Sequence, residues 1–453
     1  MAPWESTTEK IYSRPIGENE VFIKMVGDPG HAIGREHWAI NSIASIETKG
    51  TLVETITSQL RCAWAHLRFQ HPSLAAYPDG ENLVYKVPTP EELRKWIEST
   101  FRVVYDAQSA AELIRTFKPE ASATLTFVPK TGELLGHTAH WRTDGIGVLL
   151  LLDALLKLVI EPDLGDPAAL PWGEEASRLA PSVEDAANVP AEADKEQKAL
   201  GQACVDTFAL AGGAVGIPFL PQSIPRGTVS ATAILSATDT KLVVEAAKKK
   251  NISVTSAVHA SVAVANWNLA DNDRKNQHYT STVRFSLRPY LPEPFSTPAY
   301  ASGLYTTGWM EKVEPTKSWK EIAAYFHDFY KRGISTKFLE AHREYAKGLG
   351  DMLRSLPPDL SPASDVDISS IGVAENLIGQ EYGSDERGIV VKTVSVGVEI
   401  LTPQAVCFVW TFRNQLNFNV VYNEAFHEDE QMQKFVETVK SVLLSQLAVE
   451  EDN

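Results

Sequence analysis

The residues best placed for chemistry are His140-Trp141-Arg142-Thr143-Asp144-Gly145, a polar stretch set between two apolar runs. The His140 imidazole exchanges a proton near neutral pH, and Asp144 holds charge or takes a partner. Gly145 and Gly147 let the backbone turn sharply. An imidazole with an ordinary pKa of about 6.5 is largely neutral at physiological pH, and a positioned base contributes roughly 10²–10⁴-fold to a rate. His137, just upstream, is expected to pack or hydrogen-bond on the strand that delivers the motif. If 140–144 were helical, His140 and Asp144 would share a face, but the glycines favour a turn.

Such a histidine needs rigid elements on both sides. Ser122 to Pro129 reads as a strand, Lys130-Thr131-Gly132-Glu133 as its turn, and the next strand brings in the motif. Ile146 to Ile160 is apolar nearly all round, which predicts a buried helix; Asp153 and Lys157 have the spacing of a helical ion pair. Further upstream, Val21 to Val26 reads as strand and loop, broken by Gly27 and Pro29. Ile56, Leu60, Ala63, Trp64 and Leu67 mark a helix from Glu54 to Phe69 that stops before His71-Pro72. Pro90 to Ser99 and Ala110 to Phe117 read as further helices.

Prolines, acidic residues and alanines fill 161–228, which reads as a crossover between an N-terminal half, 1–160, and a C-terminal half, 229–453. The second half predicts strands at Val229 to Leu235, Tyr279 to Leu287, Tyr300 to Trp309, Gly388 to Ile400 and Val406 to Val421. Its helices are Thr238 to Lys249, one capped by Ser253, Lys317 to Arg332, and an amphipathic C-terminal segment through Met432, Phe435, Val439 and Leu443.

The totals narrow the function. With 453 residues, 44% of them hydrophobic and 22% charged, the chain is built like a globular enzyme of two cores. A net charge of -16 argues against a nucleic-acid partner, because phosphate neutralisation needs excess Lys and Arg. No apolar run reaches the roughly 18 residues of a membrane span. Cys62, Cys204 and Cys407 are few and scattered, fitting a reducing compartment, and no CxxC spacing suggests a metal. The start, Met1 to Ser6, lacks a secretory pattern, so a cytoplasmic location is expected.

His140, Asp144 and Gly145 form an HxxxDG pattern, and here the chain resembles the chloramphenicol-acetyltransferase-like superfamily, which includes BAHD acyltransferases and peptide-synthetase condensation domains. The resemblance runs nearly full length, from the helix ending at His71-Pro72 to Asn419-Val420-Val421-Tyr422-Asn423 before the last helix. Leu170-Pro171-Trp172-Gly173-Glu174-Glu175 and Leu179-Ala180-Pro181-Ser182 look most like fungal trichothecene O-acetyltransferases. It implies an α/β fold of two similar sandwich halves in a V, with a central tunnel and His140 near its middle. It also implies that Asp144 is a structural anchor paired with an arginine; Arg288 matches, with Arg284 in reserve. Ala139 stands where condensation domains carry a further histidine, which points away from peptide-bond formation. The DFGWG segment of plant BAHD enzymes is absent.

The implied function is an acyltransferase that moves an acyl group from acyl-CoA to a hydroxyl of a small secondary metabolite. His140 is the general base, and no covalent acyl-enzyme or permanently bound cofactor is expected. Candidate tunnel-lining residues are His137, Trp141, Tyr305, Thr307, Ser370 and Trp410. A backbone N–H, Thr306, Thr307 and Ser370 are candidate oxyanion donors. The expected partners are the acceptor and acyl-CoA, with the protein a monomer. Alternatives are a cyclase or isomerase on the same fold, condensation with a carrier-protein-bound donor, and a non-catalytic binding protein, which would be expected to carry a damaged motif.

Overall fold

The computed structural model describes residues 4–222, 224–357 and 361–449. Met1 to Pro3, part of the start discussed above, lie outside them. The chain forms two compact α/β units. The first comprises 1–193, 286–306 and 375–398, and the second 194–285, 307–374 and 399–453. The division at 160 and 229 therefore follows chain order and not the folded units. Two segments of the expected second half are built into the first unit, and the crossover is shared between the units.

The first unit is organised around a six-stranded sheet. Its order is Glu381–Gly383, Arg387–Val398, Ile40–Gly50, Glu133–Thr138, Thr124–Val128 and Phe101–Val103. Arg387–Val398 pairs antiparallel with the whole of Ile40–Gly50, from Arg387 opposite Gly50 to Val398 opposite Ile40. That long register explains why a late segment belongs here. The helices Leu52–Gln70 and Gly145–Ile160 pack together against this sheet. Leu149, Leu152, Leu155, Leu156 and Val159 of the second helix are buried, and Lys157 pairs with Asp153 at 2.6 Å on its more open side.

The second unit holds a four-stranded sheet in the order Val366–Val373, Ala405–Phe412, Gln415–Asn423 and Thr228–Ile234. Val254–Leu269, capped by Ser253 as expected, and Asp429–Leu447 bury Val262, Phe435, Val436 and Val439 in its core. A separate pair of strands is formed by Tyr279–Ser286 and Thr306–Val313.

Three local readings change. Val21 to Val26 belongs to the helix Glu18–Gly27, whose start is fixed when the Gly17 N–H donates to Glu20 Oε2 at 2.8 Å. The run does not alternate, and acidic residues in its first turn suit a helix N-terminus. The expected strand at Tyr300 to Trp309 begins only at Thr306; the residues before it form a turn and loop described below. The helix Thr336–Ser355 was not anticipated, although Phe338, Ala341, His342, Tyr345 and Leu349 mark its buried face at helical spacing.

Candidate active site

The motif strand Glu133–Thr138 ends one residue before a single tight turn, His140–Arg142, and the motif helix starts at Gly145. His140 is half-buried, with Nδ1 shielded from solvent. His140 thus sits at the junction of two buried elements. Upstream of the helix, Trp141 is buried beside Ile23, Leu83, Ala139 and Leu304. The Arg142 guanidinium lies 4.3 Å from the Trp141 ring centroid, and Lys24 Nζ lies 5.7 Å from it. Arg142 Nη2 donates to Ala121 O at 3.0 Å. Burial pushes the Arg142 pKa down to about 10, against the opposing pull of Glu36.

Asp144 caps the helix by accepting from Ile146 N at 3.1 Å and Gly147 N at 2.9 Å. Arg288 Nη1 donates to both carboxylate oxygens, at 2.7 and 2.6 Å, and Tyr305 N donates to Oδ2 at 2.9 Å. The carboxylate is therefore saturated by four donors. It is buried, and so is Arg288, whose Nη2 donates to Gly303 O at 3.0 Å. Thr143 Oγ1 donates to Ala301 O at 2.8 Å. The loop from Ala301 to Tyr305 thus clasps the motif through backbone groups. This is why Gly147 must be glycine: a Cβ there would overlap Thr143 Oγ1 and Ala301 O.

The clasp is itself supported. The Arg288 guanidinium carbon lies 5.2 Å from the centroid of the Tyr305 ring, and Tyr305 Oη donates to Pro181 O at 3.3 Å. The neighbouring Ala180 O accepts from Trp4 Nε1 at 2.9 Å, and Ala180 N donates to Ser73 Oγ at 2.8 Å. The Leu179-Ala180-Pro181-Ser182 segment singled out in the sequence is therefore held by residues scattered through the first unit.

Ligand atoms from Asp28, His31 and Glu36, one each, lie within 4.8 Å of one another. Lys24 Nζ already sits 3.1 Å from Asp28 Oδ2, which makes the group an ion-pair cluster.

No protein-family model matches the chain. The acetyltransferase pigO of Monascus ruber is 43% identical over 455 residues, covering 99% of both chains. The chain belongs to this family of fungal acetyltransferases. The O-acetyltransferase pigM of the same fungus is 30% identical over 99% of this chain and 88% of its own length. The solved structure of the trichothecene 15-O-acetyltransferase TRI3 from Fusarium sporotrichioides shares the fold, with a TM-score of 0.83 over 98% of each chain at 18% identity.

Within this acyltransferase the expected site residues fall into separate groups. His140, Asp144, Gly145, Arg288 and Tyr305 lie in the first unit, and Thr307, Ser370 and Trp410 in the second. Tyr305 has no exposed surface, which removes it from any wall open to substrate. His137 is buried with its ring 3.9 Å from that of Phe117, and burial pushes its pKa down to about 4. Thr307 Oγ1 is 3.1 Å from His342 Nε2, Ser370 Oγ is 3.1 Å from Thr255 Oγ1, and the Trp410 ring is buried on its strand. Arg284, the reserve partner, pairs instead with Asp367 at 2.8 Å. Sequence reading missed the support from Arg142 and the clasp. An arginine inside a motif flanked by two apolar runs was a legible signal, whereas the carbonyls of Ala301 and Gly303 have none.

Proposed function

We propose that this acyltransferase moves an acyl group from acyl-CoA to a hydroxyl of a small secondary metabolite in the cytosol, with His140 as general base. The carrying observation is the double anchoring of the His140 turn, by Arg142 and Trp141 within it and by Thr143 and Asp144 after it. Catalysis by a base depends on such fixed placement, because a misplacement of about 1 Å can cost roughly 100-fold. The relative named an O-acetyltransferase supports a hydroxyl acceptor.

In this reading the imidazole takes the acceptor hydroxyl proton as the oxygen attacks the thioester carbonyl. The tetrahedral intermediate then collapses, the C–S bond breaks, and the imidazolium returns the proton to the coenzyme A thiolate. Asp144 takes no proton; it is held by Arg288 and keeps the turn in shape. Replacing His140 with Ala tests the assignment. Product formation from acetyl-CoA and the fungal acceptor is expected to fall by at least about 100-fold with the melting temperature unchanged. Wild-type rates in that variant would refute the base.

A further inference from the structure

One face of the helix Glu18–Gly27 lies against the motif and its clasp at three levels. Asn19, Ile23 and Gly27 are spaced by four residues, which stacks them along one side of the helix, and all three are buried. At the first level Asn19 Nδ2 donates to Thr306 O, the carbonyl just after the clasp, at 3.0 Å. One turn on, Ile23 shares a buried cluster with Ala139 and Trp141, the two neighbours of His140 in the chain, and with Leu304 of the clasp. At the third level a Cβ on Gly27 would come within 3.2 Å of Glu36 Cγ, whose carboxylate charge acts on Arg142.

The helix is itself fixed in place. Arg14 donates from Nη1 and Nη2 to the two Glu20 carboxylate oxygens at 2.8 and 2.6 Å, and from Nε to Ala180 O at 3.3 Å. A guanidinium and carboxylate paired in this two-pronged way set orientation as well as distance. Asn19 N donates to Glu184 Oε1 at 3.1 Å, and a Cβ on Gly17 would meet Ser182 Cβ at 2.4 Å, so the helix start is pressed against the 180–184 segment. Close-packed interiors pass small displacements on to their neighbours. A shift at Ile23 therefore reaches the residues on both sides of His140.

We propose that this helix aims the His140 turn for acyl transfer, with Ile23 and Asn19 as its positioning residues. Ile23 holds both neighbours of His140 at a set distance from Leu304, and Asn19 pins the peptide that follows the clasp. Neither side chain takes or gives a proton. The inference rests on His140 as the general base and adds what holds that base in line.

Steady-state kinetics on the full-length chain test it, with acetyl-CoA and the fungal acceptor as substrates and Ile23→Val, Ile23→Ala and Asn19→Ala as variants. Leu60→Ala and His140→Ala are the controls. Leu60 is fully buried in the helix Leu52–Gln70 and outside the Ile23 cluster, so its truncation should cost stability alone. Measured on folded protein, kcat is expected to fall at least about tenfold in Ile23→Ala, about two- to threefold in Ile23→Val and several-fold in Asn19→Ala. KM for acetyl-CoA should stay within about twofold of wild type in all three. Leu60→Ala should lower the melting temperature at least as far as Ile23→Val and keep the wild-type kcat. If Ile23→Ala does not fold, Ile23→Val and Asn19→Ala decide the matter. A wild-type kcat in those two, or an equal kcat loss in Leu60→Ala, would overturn the positioning role while His140→Ala stays impaired. A wild-type rate in His140→Ala would instead sink the general-base reading.

Discussion

Tyr305 and Asp144 are joined backbone to side chain: the Tyr305 N–H donates to Asp144 Oδ2 at 2.9 Å. Because the donor is a main-chain group, this bond survives any substitution other than proline that leaves the loop in place. The Tyr305 side chain contributes separately, through its ring near Arg288 and its hydroxyl on Pro181 O. Tyr305→Phe removes only the 3.3 Å bond to Pro181 and should cost about 0.5–1.5 kcal/mol. Tyr305→Leu also removes the ring and should cost clearly more. Urea unfolding of both variants measures the difference, and equal losses would contradict the separate roles.

The Asp144–Arg288 pair is buried on both sides, with side-chain exposures of 5% and 6%. Removing one partner strands the other charge, so Arg288→Ala should lower stability by about 3–5 kcal/mol and lower acyl transfer with it. Arg288→Lys should recover only part, since one ammonium cannot reach both Asp144 and the carbonyl of Gly303 as the planar guanidinium does. Denaturant midpoints, with kcat measured on the folded fraction, check both statements.

Gly147→Ala places a methyl group against Thr143 Oγ1 and the Ala301 carbonyl. Overpacking of this kind costs about 1–3 kcal/mol and should move the turn that carries His140. The expected result is a lowered melting temperature together with a kcat loss larger than the change in KM. A wild-type kcat would show that the clasp does not control the turn.

Asp365 supplies a pH dependence in the second unit. Burial, reinforced by the nearby Asp367 charge, raises its pKa from 3.8 to about 7. The folded state therefore holds this proton more tightly than the unfolded chain. Its stabilising effect is complete below about pH 4 and is lost as pH rises through about 7. Asp365→Asn removes that loss, so the stability advantage of the variant over wild type should grow from pH 4 to pH 8, by an order of a few kcal/mol. Buried His71 and His137, each with its pKa pushed down to about 4, act the other way, because the unfolded chain binds their protons first. Their contribution cancels in the comparison. A constant difference between wild type and variant across that range would refute the Asp365 assignment.

The strands and helices around the motif were legible because their signals are local. The apolar run after Gly145 and the apolar stretch Ala405–Phe412 reflect elements buried nearly all round, and the cap at Ser253 is a hydrogen bond to Ser256 N three residues away. The Arg288 pairing was reached through family resemblance, and Arg284 shows why spacing alone was insufficient: two arginines four residues apart find different carboxylates, Asp144 and Asp367. The clasp was invisible, since its acceptors are the carbonyls of Ala301 and Gly303, which any residue carries. The loss of Tyr305 from the tunnel set has the same origin. An aromatic side chain does not announce whether it meets a ligand or another part of its own chain.

The strand Arg387–Val398 also has a consequence for the order of events during synthesis. Until it emerges, Ile40–Gly50 has one edge without the partner that covers its entire length. Arg387 is made roughly 190 residues after Ala193, an interval of about 10–40 s at cellular translation rates. During that time the nascent first unit, with the His140 turn already in the chain, carries a long bare strand edge of the kind that chaperones shield.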